Sequence, residues 1–291
     1  MSGKSAPKIR WSVTGASIRG ANHARSHRPN QDAILWQTGV RAGAPALLAL
    51  ADGHGAARYV RSHRGAKLAV QVAKDILSDF AESNESTRDL TRVARQAAEQ
   101  LPRTLVRTWQ DQVRSELSVR PLSAAEEARW LEDRKPDAVR DPLRAYGSTL
   151  VAAILTSRYL LFCHLGDGDI LTVDSQGEVA RPPLPVDTRL VANQTTSLCG
   201  PDAWNDLRVY FQPLTDRPPA LIMLSTDGYA NSFADEQGFF AAAADLLTAL
   251  RTNGVQHTTN RLPHWLHATS EGGSGDDISV GLAYRLSGER G

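Results

Sequence analysis

The sequence predicts an α+β fold: a four-layer α-β-β-α sandwich in which two mainly antiparallel sheets are flanked by helices. Two observations lead there. Strand-like runs come in meander-like groups joined by short turns, and the helical patterns are grouped between those runs rather than alternating with single strands. Two sheets packed face to face, each covered by helices, accommodate all of these elements, although strand order is not readable.

Taken in order, Ile9 to Ser17 and Ala33 to Gln37 mix aromatic, β-branched and polar residues as strands do. Between them, Gly20 to Asn30 reads as a loop rich in His and Arg. Pro45 to Leu50 is an apolar strand. Ala56 to Phe80 places Val60, Leu68, Val72, Ile76 and Leu77 at helical spacing, with a possible break near Gly65. Ser83 to Arg144 is a charged helical stretch in which Leu101, Leu105, Trp109, Val113 and Leu117 step along one face, and Pro102 is expected in a first turn. Ser123 and Glu126 have capping-box spacing, with Trp130 and Leu131 as the buried residues of the helix that follows and Lys135-Pro136-Asp137 as its end.

Strands resume at Ser148 to Thr156, Tyr159 to Leu165 and Asp169 to Val173, and the Asp174-Ser175-Gln176-Gly177 turn closes this meander. Arg181 to Gly200 reads as an irregular, flap-like excursion. Ala220 to Leu224 is another apolar strand. Phe239 to Leu250 and Thr259 to Ser270 are helices, and Ile278 to Arg285 is a closing strand. The 291 residues are expected to form one domain, with 83–144 as a helical insertion, because the acidic turns described next span nearly the whole chain.

Charge and composition narrow the function. Lys+Arg 33 against Asp+Glu 32 leaves a net charge of +1, so no global field recruits nucleic acid or an anionic membrane. Cys163 and Cys199 lack Cys-x-x-Cys spacing, which argues against zinc and against a disulfide framework. With no leader-like start and no apolar run long enough for a membrane span, a cytoplasmic protein is expected.

Four acidic turns lie beside apolar runs: Asn30-Gln31-Asp32, Asp52-Gly53-His54-Gly55, Ser225-Thr226-Asp227-Gly228 and Gly275-Asp276-Asp277-Ile278. Any one of them reads as an ordinary turn, since Asp-Gly is a common turn dipeptide. Together, at the ends of buried strands, they suggest one site for a hard cation, because carboxylates and carbonyls without cysteine or paired histidine favour magnesium or manganese over zinc. Such ions activate water toward phosphorus. Gly53 allows a tight turn that exposes its own carbonyl.

With Gly147-Ser148-Thr149 and Gly166-Asp167-Gly168-Asp169 added, these motifs in this order resemble the metal-dependent protein phosphatase 2C family over about Ser12 to Tyr284. The resemblance implies a β-sandwich flanked by helices, two Mg or Mn ions at one edge, and a phosphorylated protein as substrate. By the same resemblance, Asp52 bridges both metals, Gly53 lends its carbonyl, Asp227 and Asp276 complete the set, Asp32 supports it, and Asp167 binds a third, weaker ion. His54 matches the histidine proposed to protonate the leaving alkoxide, for which an unperturbed pKa near 6.5 is suited.

Three positions depart from the family pattern. Gln31 stands where Glu is common, His27 stands where the phosphate-gripping Arg lies, and Asp277 replaces an Asn. Arg25 and Arg28 are the two candidates for the phosphate contact. The leading expectation is a protein-serine/threonine phosphatase using direct attack of a metal-bound hydroxide. The alternatives are a hydrolase of small phosphate monoesters and a catalytically weak or inactive phosphoprotein-binding regulatory module. Gly147-Ser148-Thr149 is expected to serve strand packing, His164 to be a satisfied strand residue, and Arg58, Arg61, Arg64 and Lys67 to form a solvated helix face.

Overall fold

A computed structural model describes residues 9–39, 44–132, 141–184, 195–214 and 218–286. Its strands are β1 (Arg10–Ile18), β2 (Ala33–Gln37), β3 (Ala46–Ala51), β4 (Leu150–Leu155), β5 (Tyr159–Leu165), β6 (Asp169–Val173), β7 (Val179–Ala180), β8 (Arg208–Pro213), β9 (Leu221–Ser225) and β10 (Ile278–Leu286). They form two five-stranded sheets, ordered β1-β10-β9-β6-β7 and β2-β3-β4-β5-β8, and every strand pairing is antiparallel. The expected α+β class and layered sandwich are therefore present. The meander, however, is divided between the sheets: β5 and β6 are consecutive in sequence and lie on opposite sheets.

The sheets face each other through Trp11, Leu48, Leu50, Phe162, Ile222 and Leu224, which are buried between them. Alternate residues point the other way, so a second apolar layer forms against the helices. On one side these are α2 (Ser62–Ser83) and α3 (Leu90–Val119), packed on Leu47, Ala49, Ile154 and Leu161. On the other, after the short α5 (Ala203–Asp206) and α6 (Asp227–Ala230), α7 (Glu236–Gly272) covers Leu171, Met223 and Leu282. Strands β3, β4 and β5 are buried along their whole length, which explains why they read as continuous apolar runs.

Several boundaries differ from expectation. Helix α2 begins at Ser62 rather than near Ala56, because residues 53–61 form the turn that carries the site. Helix α3 begins at Leu90, where the Asp89 carboxylate accepts the Arg92 N–H at 3.1 Å, so Pro102 lies well inside the helix instead of in its first turn. Val93, Ala97, Leu101, Leu105 and Trp109 are all buried, and this long apolar face outweighs the single backbone bond that proline removes. The two C-terminal helices are joined as α7 across a kink at Gly254, whose φ is 79°. Strand β8 and the short α1 (Ala21–Arg25), within the expected loop, were not legible as elements.

Helix α4 (Ala124–Glu132) carries the expected capping box: Glu126 N–H reaches Ser123 Oγ at 3.3 Å, and Ser123 N–H reaches Glu126 Oε2 at 2.8 Å. Trp130 packs partly on the core, whereas Leu131 is exposed. Lys135-Pro136-Asp137 and 185–194 of the flap-like segment lie outside the described residues.

What anchors α4 is Arg61, which is buried rather than part of a solvated face. Its guanidinium makes paired contacts with Glu126 at 2.8 and 2.9 Å and donates to the Tyr146 hydroxyl at 2.8 Å and to two backbone carbonyls. Beside it, Gly65 is obligatory: a Cβ there would stand 1.8 Å from the Tyr146 carbonyl oxygen.

The Arg61 contact holds the Glu126 carboxyl down to about 2, against 4.5 ordinarily. Its stabilisation is thus present above pH 4.5 and is lost as pH falls toward 2. Discounted for the side chain's partial exposure, the difference between wild type and Glu126→Gln should be about 1–2 kcal/mol at neutral pH and should close in acid. Denaturant unfolding at several pH values measures this, and two parallel curves would show that the pair does not hold α4.

A candidate metal centre

The site is assembled at one edge of the sandwich by strand ends. Strand β3 runs into Asp52, β9 into Thr226 and Asp227, β2 starts just after Asp32, and β10 starts just after Asp276 and Asp277. The β5–β6 turn adds Asp167. An interior strand packed on both faces cannot shift, so residues at its end are held in place by the whole core.

Asp52 is fixed through its backbone. Its N–H donates to Thr149 Oγ1 at 2.9 Å, and its carbonyl accepts from Thr149 N–H at 2.8 Å and Ser148 Oγ at 2.9 Å. His54 N–H donates to the Gly147 carbonyl at 3.2 Å. Gly147-Ser148-Thr149 therefore braces the acidic turn in addition to starting a strand, a role the sequence reading missed. Gly53 cannot be replaced, because a Cβ would meet Ser62 and the Gln31 carbonyl oxygen at 2.6–2.8 Å.

Among the carboxylates, burial is the largest effect and mutual repulsion adds to it. Asp32 is 4% exposed; its Oδ2 accepts from Thr226 Oγ1 at 2.7 Å, while its Oδ1 is buried with no hydrogen-bond partner. Burial, with help from Asp277 and Asp227, pushes its pKa up to about 8 despite the Thr226 bond. Asp52 is raised well above 3.8 by burial and then by Asp32, Asp227 and Asp276. Asp227 is raised to about 6, by burial and then by Asp167. Asp167 is raised in the same direction by burial, with Asp276 adding to it.

These positions suit a hard cation. Every candidate donor is oxygen, the carboxylates repel one another, and two buried oxygens, Asp32 Oδ1 and Gln31 Oε1, have no donor. The orientation of the Gln31 amide follows from its nitrogen, which donates to the His54 carbonyl at 3.1 Å and to Ser62 Oγ at 2.5 Å. Its oxygen is left as a neutral donor where the family pattern has a carboxylate.

The two adjacent aspartates have separate tasks. Asp276 is exposed at the mouth. Asp277 is buried, and its Oδ1 accepts from Gly20 N–H at 2.7 Å while its Oδ2 faces Gln31 N–H at 2.6 Å and His23 Nδ1 at 2.8 Å. Asp277 thereby ties the Gly20–Gln31 loop to the site. The His23, Asp276 and Asp277 ligand atoms lie within 4.8 Å of one another, but both Asp277 oxygens already hold these partners.

His54 packs against Tyr59 with the rings tilted by 56° and their centroids 4.7 Å apart. Burial, then Arg58, lowers its pKa to about 4, so the expectation of an unperturbed value near 6.5 is corrected: the resting imidazole is neutral. Arg25 bonds Asn22 Oδ1 from an exposed position. Arg28 donates to the Gly55 carbonyl at 3.2 Å, next to the acidic turn. His164 lies buried with Nε2 on the Gly168 carbonyl, as expected, and both cysteines are buried and free.

The family model for protein phosphatase 2C matches residues 19–267, most of the chain. The chain belongs to the protein phosphatase 2C family. It is a protein-serine/threonine phosphatase by class, with the divalent-metal dependence of that class. Solved structures agree on the fold of this phosphatase. The catalytic domain of PstP in complex with two manganese ions is 18% identical, with a TM-score of 0.57 over 96% of this chain and 100% of that one. Stp1 from Staphylococcus aureus is 15% identical, with a TM-score of 0.60 over 99% and 100%. PppA of Pseudomonas aeruginosa is 17% identical, with a TM-score of 0.58 over 95% and 98%. No curated protein sequence matches the phosphatase. Among the described residues, no helix is long and apolar enough to cross a membrane.

Proposed function

We propose that this phosphatase removes phosphate from phosphoserine and phosphothreonine in cytoplasmic proteins by direct attack of water, without a covalent phosphoenzyme. The observation that carries the reading is the convergence of Asp52, Asp227, Asp276 and the partnerless Asp32 Oδ1 at one sandwich edge. Asp52, the Gly53 carbonyl, Asp227 and Asp276 would hold two Mg or Mn ions, with Asp32 in support and Asp167 serving a third, weaker site. Bound there, such ions neutralise the carboxylates, lower the pKa of water and polarise the phosphoryl group.

The protein's own groups supply positioning. Thr149 and Ser148 hold the Asp52 main chain, and Thr226 orients Asp32. Arg28, and Arg25 as the alternative, supply a planar fork for phosphate oxygens. His54 presents a neutral ring beside the acidic turn, suited to giving a hydrogen bond to the leaving oxygen.

The test compares wild type, Asp227→Ala and His54→Ala with manganese, on a phosphoserine peptide and on an aryl phosphate. Wild type should turn over both, and Asp227→Ala should lose about three orders of magnitude on both. His54→Ala should lose more on the peptide, whose leaving alkoxide needs help that a phenolate does not. Wild-type turnover no greater than that of Asp227→Ala would overturn the enzymatic reading. Equal His54→Ala losses would restrict that residue to holding the turn.

A further inference from the structure

Beside the turns that carry Gln31 and Gly55 lies a cavity of about 380 Å³ whose chemistry differs from that of the carboxylates. Its lining includes His27, Arg28, His63 and Arg129, together with Gln31 and Gly55 from the acidic turns, and contains no Asp or Glu. In a chain with nearly equal numbers of acidic and basic residues, a cleft lined by four basic side chains and no acidic one is not explained by overall charge. Other cations nearby are neutralised: Arg61 by Glu126 and Arg64 by Glu116. Among the described residues, Arg28 contacts only the Gly55 carbonyl through its guanidinium, and Arg129 has no carboxylate partner.

The four groups come from three segments that the fold brings together. His27 and Arg28 follow α1, and the His27 backbone is left-handed, with φ of 55°. His63 opens α2, and Arg129 sits on α4. Helix α4 is docked by the Arg61–Glu126 pair, one helical turn before Arg129, so that contact sets where the Arg129 backbone stands at the rim of the cleft. His63 is held below its ordinary pKa by burial and by Lys67 and Arg64, and its ring lines the cleft with the two arginines, where a neutral imidazole has one N–H to offer an anion.

We infer that the His63 and Arg129 end of this cleft is a subsite for a second anionic group of the substrate, next to the reacting phosphate that Arg28 would grip. The phosphatase would therefore select phosphopeptides flanked by an acidic side chain or a second phosphate. The inference rests on the phosphatase reading proposed above. Guanidinium groups suit both anions, and phosphate, with more charge and a bidentate face, is favoured over carboxylate.

Steady-state kinetics with manganese on three phosphoserine peptides tests it: one with neutral flanks, one with Asp and Glu flanks, and one with a neighbouring phosphothreonine. Wild type should show kcat/KM about tenfold higher on the acidic peptide than on the neutral one, and higher again on the doubly phosphorylated one. The gain should lie in KM and shrink with added salt. Arg129→Gln, and separately His63→Gln, should reduce that preference while leaving turnover of the neutral peptide at the wild-type level.

Equal efficiency on all three wild-type peptides would overturn the inference and leave the phosphatase reading intact. So would an Arg129→Gln loss shared by every peptide, which would place the reacting phosphate itself against Arg129. If no peptide is turned over, the phosphatase reading fails. The subsite is then judged by fluorescence anisotropy of the same labelled peptides, where tighter binding of the acidic pair to wild type than to Arg129→Gln supports it and equal binding overturns it.

Discussion

Asp52→Asn is expected to lower manganese-dependent turnover of an aryl phosphate by about three orders of magnitude, equivalent to about 4 kcal/mol of barrier, and at the same time to stabilise the metal-stripped protein. The two effects have one cause. Asp52 lies among Asp32, Asp227 and Asp276, and burial with their repulsion raises its pKa. A neutral amide of the same shape removes that repulsion and leaves the backbone bonds to Ser148 and Thr149 in place. In chelator, the gain should be about 1–3 kcal/mol, or about 2–4 °C in thermal midpoint for each kcal/mol.

Metal and pH extend this test. Manganese should raise the wild-type midpoint by mass action and move that of Asp52→Asn much less. Asp227, at about 6, and Asp32, at about 8, have folded pKa values above the ordinary 3.8, so the folded state binds more protons than the unfolded one. Stability of the chelated wild type should therefore fall as pH rises from about 4 through 8. A chelated Asp52→Asn protein that melts below wild type would refute the crowding argument.

Asp277→Ala should have the largest effect on folding of any single change at the site. The buried carboxylate accepts the main-chain N–H groups of Gly20 and Gln31 and meets His23 Nδ1. Truncation leaves two buried donors without an acceptor, at a cost of about 3–5 kcal/mol. Because Gln31 and Asp32 belong to the loop that Asp277 ties down, the manganese concentration needed for half-maximal turnover should also rise about 10- to 100-fold. Asp277→Asn keeps one acceptor oxygen and should fall between the two. Calorimetry and a manganese titration read both quantities, and an unchanged melting temperature with unchanged metal demand would show that Asp277 is no anchor.

Much of the architecture was legible because it is written in local patterns. The ends of β2, β5 and β6 follow from apolar or mixed strand-like runs cut off by polar turns, Ser157-Arg158 before β5 and Gly166-Asp167-Gly168 between β5 and β6. The Ser123 and Glu126 capping box was legible because both partners lie within one helical turn. Arg61 illustrates the opposite case. Its three-residue spacing with Arg58 and Arg64 has the form of a solvated face, and only Glu126 and Tyr146, far away in sequence, make its burial possible. The His54 pKa was misjudged because its burial exists only once the turn packs against Tyr59 and the Gly147 segment.

By itself, the sequence determined most of the strands and helices, though not β8 or α1, that acidic turns end buried strands, and, through their order, the family. These depend on periodicity and short-range backbone chemistry, which act along the chain. Tertiary structure alone decided that β5 and β6 part to different sheets, that Asp276 faces outward while Asp277 anchors the loop, and that Arg28 and Arg129 share one cleft. Those outcomes depend on strand register and on which distant surfaces bury each other, and burial and charge repulsion exist only once the chain has brought those groups together.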